Sequence, residues 1–443
     1  MPAAPIPAAT RSASSAAARP IVWLVSGVRT PFARAGGPLA RLDAISLAVP
    51  VVRRMLATVI HGVPDFFVWG AVMPNLTWNN LAREVMLDAG APATIPAFST
   101  TMACSTSMMG ALEAAGMLDE RARTLALVGG SESLSHVPVG LAQTLADWLR
   151  AFRAARGVAP KLAQLARLSP RDLRLFIPAV ANRTTGKSMG EHMEITAREW
   201  RIDRAAQDAV AFASHERAVA AWERGFFADL VIPIADISRD SLPRRDTSLA
   251  KLAALIPSFD RTSGQGTLTA GNSSPLTDGA AAIWVATTPG LARLPAQLPS
   301  ARLIDWEIAA VDFRSEGLLM APAYAIPRLL ARHGLAYSDI DLWEIHEAFA
   351  AQVVAHIAAL TSDAFLRERV GVAAAFGAFP TERVNPNGGS VALGHPFGAT
   401  GARILSQAVK ELAARPAGTR AIVSICADGG LGTVALLEAG GGA

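Results

Sequence analysis

One local pattern occurs twice in this chain: a reactive side chain placed just before a helix, in two similar α/β halves. The first copy spans a strand at 96–100, Cys104 and a helix at 105–119; the second places His395 ahead of a helix at 401–414. Around each copy the hydrophobic pattern alternates between short buried strands and amphipathic helices, an α/β rhythm with largely buried strands. In the first half the expected order is strand 21–25, helix 44–60, strand 65–71, helix 79–90, strand 96–100, helix 105–119 and strand 124–129. The rhythm resumes from about Ala280, with a strand at 340–345, a helix beginning at Glu347, the His395 helix and a strand at 420–425 that ends on Cys426. A duplicated α/β fold of two halves satisfies this pattern.

The 443 residues suffice for two or three domains, and 51% hydrophobic residues support a packed interior. No run reads as a membrane-crossing helix. The two cysteines, Cys104 and Cys426, make no disulfide framework and favour a reducing compartment. Residues 1–20 are rich in Ala, Pro and Ser with Arg11 and Arg19; a disordered tail is expected, with a transit peptide as the alternative. The expected division is 21–130 for the first half with 240–278 contributing, 131–272 for an inserted loop domain, and 273–443 for the second half.

Charge is concentrated in the insert. Between Trp148 and Arg183 there are eight basic residues and one acid, a net +7 against +4 for the whole chain. Arg150, Arg153 and Arg156, then Leu162, Leu165 and Leu168, then Arg167, Arg171 and Arg174 recur at helical spacing, which predicts two basic amphipathic helices within 148–183. A solvated face, an anionic membrane surface or partner, and substrate phosphates are the alternatives for that charge.

Chemistry enters through four segments. A thiol at a helix N-terminus has its thiolate favoured by the helix dipole and free backbone N–H groups, which fits Cys104. Cys426 precedes the turn Ala427-Asp-Gly-Gly-Leu-Gly432, where a substrate can meet exposed backbone. His346 stands at a strand end in Glu344-Ile-His-Glu-Ala-Phe-Ala350, and His395 sits among glycines in Asn385-Pro-Asn-Gly-Gly-Ser-Val-Ala-Leu-Gly-His-Pro-Phe-Gly-Ala-Thr-Gly401. Taken singly, a buried cysteine is an inert small hydrophobe and a strand-end histidine a satisfied structural one. A dinucleotide reading of the glycines fails because His395-Pro396 interrupts the spacing and no strand immediately precedes the run.

These four segments, in this order and spacing, resemble the thiolase family. Val28-Arg-Thr-Pro-Phe-Ala33, Asn80-Leu-Ala-Arg-Glu84 and Ala270-Gly-Asn-Ser-Ser-Pro-Leu-Thr-Asp-Gly279 extend the similarity from about residue 21 to the C-terminus. His346-Glu-Ala-Phe349 and the long basic insert are most similar to the β subunit of the fatty-acid-oxidation trifunctional complex, in which the insert is associated with membrane contact. The resemblance implies the thiolase fold, two duplicated βαβαβ-type halves layered α-β-α-β-α, with an inserted helical loop domain. It implies a 3-ketoacyl-CoA thiolase of β-oxidation that releases acetyl-CoA through a covalent acyl-cysteine.

The resemblance also implies roles. Cys104 is the nucleophile, His395 its base and an oxyanion-hole donor, Cys426 the acid/base at C2, and His346 an oxyanion-hole donor. Backbone N–H groups of Cys104 and Asp428 form a second oxyanion hole, and Ser274 and Met189 touch the pantetheine arm. Coenzyme A is a co-substrate, with no permanently bound cofactor and no metal. A homodimer or tetramer is expected, with a hydratase/dehydrogenase α subunit as a further partner, peripheral membrane contact through 148–183, and no nucleic acid. The expected location is a bacterial cytoplasm, peripheral at the inner membrane, with a mitochondrial matrix as the alternative. Asp428 departs from the family, which has Gly or Ala there; an outward-facing carboxylate is expected, since an inward one would raise the Cys426 pKa. The rival functions are an acetoacetyl-CoA thiolase run in the condensing direction, a decarboxylating ketoacyl synthase, against which Cys426 argues, and a catalytically silent CoA-binding or membrane-docking subunit.

Overall fold

The computed structural model describes residues 20–176, 181–373 and 375–440. Among these described residues twelve strands occur in chain order: β1 (Val22–Val25), β2 (Ala33–Arg34), β3 (Phe66–Gly70), β4 (Ala97–Ser99), β5 (Leu125–Glu132), β6 (Gly140–Leu141), β7 (Leu175–Phe176), β8 (Thr277–Thr287), β9 (Ser300–Ala310), β10 (Leu342–Ile345), β11 (Arg420–Ala427) and β12 (Leu431–Ala439). Nine of them form one path, β10-β11-β12-β9-β1-β8-β5-β3-β4, with β2 beside β8.

The path contains its own repeat. β3 runs parallel to β5, which is antiparallel to β8, which is antiparallel to β1. Likewise β10 runs parallel to β11, which is antiparallel to β12, which is antiparallel to β9. The two sets join edge to edge where β1 pairs with β9. The strand Thr277–Thr287 therefore lies among the strands of the first half, whereas the sequence pattern assigns residues from 273 onward to the second.

Helices Thr106–Met117 and Thr400–Ala413 pack on one another between the two sets of strands. Met108, Ala111 and Ala115 of the first share a core with Ile404, Leu405 and Ala408 of the second. Helices Ala44–Leu56 and Leu81–Asp88 cover the far face of the first half, and Ala321–His333 and Ala350–Leu360 that of the second. β3, β5, β8 and β10 are buried along their whole length because both of their faces are covered. Each half thus sends one helix into the middle layer, and the starts of those two helices are fastened where Ala402 N donates to Ser107 Oγ at 2.9 Å.

The insert differs from its expected form. Helix Gln143–Ala154 and helix Val158–Ala166 pack as a hairpin, with Trp148 Nε1 donating to Gln164 O at 2.8 Å and Lys161 Nζ 5.8 Å from the centroid of Phe152, which stacks on Trp148 within the first helix. The second helix stops before Arg167, so Arg167, Arg171 and Arg174 lie on no helix. Pro170 explains this, since the residue before a proline is driven out of the helical region. Two further helices, Met189–Glu199 and Arg204–Glu223, return the chain to the core. Among the described residues no helix is long and apolar enough to cross a membrane.

Candidate active site

Cys104 stands at the start of the first middle-layer helix on a strained turn. Ala103 has φ +44°, a left-handed conformation that a side chain disfavours, and such strain costs roughly 1–3 kcal/mol when the surroundings enforce it. Thr106 Oγ1 enforces it, accepting from Met102 N at 2.9 Å and donating to Ala103 O at 2.7 Å. The turn aims the partly exposed Cys104 at two histidines from the second half. One donor atom each from Cys104, His346 and His395 lies within 4.8 Å of the others, and the imidazole centroids are 4.2 Å apart. A soft cation bound to these three atoms would block the thiol.

His395 is placed by the start of the other middle-layer helix. Its backbone N–H donates to Thr277 Oγ1 at 3.1 Å. Its Nδ1 lies 2.7 Å from Thr400 Oγ1, and that hydroxyl donates its own proton to Pro396 O at 2.9 Å. With its proton so committed, Thr400 accepts, Nδ1 carries the ring proton, and Nε2 holds a bare lone pair. That Nε2 is buried and has no partner among the described residues. Burial pulls His395 down to about 3, with the Arg403 charge acting in the same direction, so the ring is neutral at physiological pH.

His346 follows β10. Its backbone N–H donates to Ser424 O at 2.9 Å, Nδ1 faces Ser390 Oγ at 3.1 Å, and its buried Nε2 is also unpartnered. Asn385, itself at φ +46°, extends the ladder: its side chain accepts from Ile345 N at 2.8 Å and donates to Ile345 O at 2.8 Å. The buried Glu347 carboxylate accepts from Asn385 Nδ2 at 2.7 Å, Ser214 Oγ at 2.7 Å and Val391 N at 3.1 Å, locking the histidine's strand end to its glycine-rich neighbour. This use of residues 346–349 delays the helix expected from Glu347 until Ala350.

The thiols are held in protonated form. Burial pushes Cys104 up to about 12, and the charges of Asp428 and Glu132 add to the effect, against a smaller opposing contribution from its own backbone N–H. The helix-dipole expectation of a stabilised thiolate is therefore corrected: desolvation outweighs the N-terminus. Cys426, buried at the end of β11, is raised well above its ordinary value by burial first and the Cys104 charge second, which couples the two thiols.

Asp428 also departs from expectation. Its Oδ1 accepts from Asn182 Nδ2 at 2.8 Å and from Gly429 N at 2.7 Å, tying the Cys426 turn to the insert. Its charge raises Cys104, second only to burial. Ser274 donates its N–H to Ala348 O at 3.0 Å, beside the His346 segment. Met189 opens helix Met189–Glu199 and packs against the cluster that contains Cys426.

Several contributors escape a reading by motif. Glu132, fully buried, accepts from Val72 N, Met73 N and Gly398 N, each at 3.0 Å, and so ties the first half to the His395 loop. Ser390 and Thr400 lie inside the histidine motif, but only the folded geometry shows which imidazole each one meets.

The chain matches the family model described as the thiolase N-terminal domain over residues 22–288 and that of the thiolase C-terminal domain over residues 297–439. It is 37% identical over 442 residues to a 3-ketoacyl-CoA thiolase of Yersinia enterocolitica, spanning 98% of this chain and 99% of the relative. A 3-ketoacyl-CoA thiolase of Klebsiella pneumoniae is 38% identical over 426 residues, 94% of this chain and 97% of the relative. Among solved structures, the acetyl-CoA acetyltransferase of Bacillus anthracis superposes with a TM-score of 0.76 at 30% identity, covering 95% of this chain and 99% of that one. A thiolase from Ascaris suum in complex with coenzyme A gives 0.74 at 27% identity, covering 95% of this chain and 100% of that one.

Proposed function

The chain belongs to the thiolase family, and from that premise we propose that it is a 3-ketoacyl-CoA thiolase of fatty-acid β-oxidation, an acyltransferase with coenzyme A as co-substrate. The observation that carries the mechanism is the cluster of Cys104, His346 and His395, with both Nε2 atoms buried and unpartnered.

The chemistry follows from the proton positions. Cys104 S–H gives its proton to the bare His395 Nε2 as sulfur attacks the C3 keto carbon. A free thiolate at about 12 is scarce, so this transfer accompanies attack. The C2–C3 bond breaks and its electron pair passes into the acetyl-CoA enolate. His346, and His395 once it carries the thiol proton, donate to the enolate oxygen; one such donor is typically worth about 3–4 kcal/mol of barrier. Cys426 S–H protonates C2 and acetyl-CoA leaves. Free CoA then gives its S–H proton to the Cys426 thiolate as its sulfur attacks acyl-Cys104, the backbone N–H groups of Cys104 and Asp428 receive the tetrahedral oxyanion, and the departing Cys104 sulfur takes back the proton held by His395. Met189 and Ser274 are assigned to the pantetheine arm.

A bacterial cytoplasmic homodimer or tetramer fits the bacterial relatives, and a hydratase/dehydrogenase subunit would supply the 3-ketoacyl substrate. Peripheral membrane contact is assigned to 148–183, where Val158, Leu162, Leu165, Leu173, Leu175 and Phe176 are exposed beside the basic residues. Thiolysis of 3-ketohexadecanoyl-CoA by wild type, abolished in Cys104→Ala, is the expected result. Undiminished thiolysis by the variant contradicts the mechanism, and activity confined to four carbons contradicts the chain-length assignment.

A further inference from the structure

Both active-site imidazoles present a buried, unpartnered Nε2, but their other nitrogens have unlike supports. His395 leans on a hydroxyl whose proton is already spent, whereas His346 leans on Ser390, whose proton is not. Ser390 Oγ accepts a 2.6 Å hydrogen bond from Arg403 Nη2, a group that can only donate. Ser390 is fully buried, and the two contacts of its hydroxyl among the described residues are Arg403 and His346 Nδ1, the latter at 3.1 Å. If Nδ1 carried a proton, Ser390 would receive two donors and its own O–H would be left buried with no acceptor. A buried unmade hydrogen bond costs about 1–3 kcal/mol, so the arrangement that satisfies all three groups has Ser390 donating to Nδ1. The ring proton of His346 is then on Nε2.

We propose that Arg403 and Ser390 are positioning residues that hold His346 as the Nε2–H tautomer, opposite to His395, so that one donor faces the thioester oxygen before Cys104 has lost its proton. The two roles need opposite tautomers. A base must present a lone pair to the thiol, and an oxyanion donor must present a proton to the carbonyl. Burial lowers Arg403 only to about 10, so it is a cation throughout the working range and its single polarity is constant. His346 is held well below its ordinary value by burial first, and the Arg403 cation acts in the same direction. No proton is consumed: the relay orients one that His346 already holds.

This inference rests on the thiolase reading, and it separates the two half-reactions. Cleavage of C2–C3 develops charge on the enolate oxygen at His346. Exchange of the CoA portion of an acyl-CoA passes through acyl-Cys104 and the backbone oxyanion hole, with no enolate. Ser390→Ala, His346→Ala and the double variant are to be assayed for release of acetyl-CoA from 3-ketohexadecanoyl-CoA and for exchange of labelled CoA into hexadecanoyl-CoA. Ser390→Ala is expected to slow cleavage about a hundredfold, the loss typical of one oxyanion donor, with exchange unchanged within a few fold. Because Ser390 acts through His346, the double variant should be no slower than His346→Ala alone. A parallel loss of both reactions, unchanged cleavage, or additive losses in the double variant would overturn the proposal. Wild-type protein that exchanges CoA but cleaves no 3-ketoacyl-CoA would instead sink the underlying functional reading.

Discussion

Alkylation of Cys104 as a function of pH measures the balance struck at the nucleophile. Held at about 12 instead of an ordinary 9.0, the thiol at pH 8 is ionised to about one part in ten thousand instead of about one in ten. That thousandfold suppression corresponds to about 4 kcal/mol favouring the protonated form. The causes are burial, then the Asp428 charge, then a smaller contribution from Glu132, with the backbone N–H of Cys104 working against them. The assay is iodoacetamide labelling of free enzyme between pH 7 and 10, with the Cys104 peptide quantified by mass spectrometry. Since the anion reacts, the rate should rise about tenfold per pH unit with no plateau, from a value at pH 8 about a thousandfold below that of a free thiol. Asp428→Asn removes one of the raising charges and should shift the line to faster rates at every pH. A rate that is flat from pH 7 to 9 would mean a preformed thiolate–imidazolium pair, and the burial argument would be refuted.

Other perturbations probe separate parts of the site. Cys426→Ser should suppress exchange of the C2 protons of acetyl-CoA with solvent deuterium, read by NMR, while CoA exchange into acyl-CoA persists. Gly130→Ala places a Cβ 2.0 Å from Gly398 O, where the halves meet behind His395; an overpacking loss of about 1–3 kcal/mol in urea unfolding is expected. The buried Arg29–Asp240 pair, with Nη2–Oδ2 at 2.7 Å and side-chain exposures of 4% and 0%, should cost about 3–5 kcal/mol when broken by Asp240→Ala. Glu132, pushed up to about 7 by burial, keeps its proton in the fold while an unfolded chain loses it near 4.5. Wild-type stability relative to Glu132→Gln should therefore fall by about 3 kcal/mol as pH rises from 4.5 to 7, then level off, as read by urea midpoints.

Local signals made much of this legible. The paired placement of Cys104 and His395 ahead of helices follows from the helical periodicity that begins after each, and both helices start within a residue or two of their expected positions. What escaped depends on partners distant in the chain. Nothing near Thr277–Thr287 shows that this strand slots between β1 and β5, because a fully buried strand looks alike in either half. The arginine periodicity of 167–174 mimicked a helix that Pro170 forbids. Asp428 finds its partner in Asn182 of the insert, and Ser390 meets His346 across 44 residues, so neither the carboxylate's direction nor the ring's tautomer was written in the motif itself.

The central claim is that Cys104 carries the acyl group and that carbon–carbon cleavage precedes the arrival of the second CoA. It is tested most directly by mixing the protein with 3-ketohexadecanoyl-CoA without free CoA and weighing the Cys104 peptide. A tetradecanoyl adduct on Cys104 with one equivalent of acetyl-CoA released is the predicted result. Acetyl-CoA release with an unmodified Cys104 peptide, or acylation of a different side chain, would contradict it.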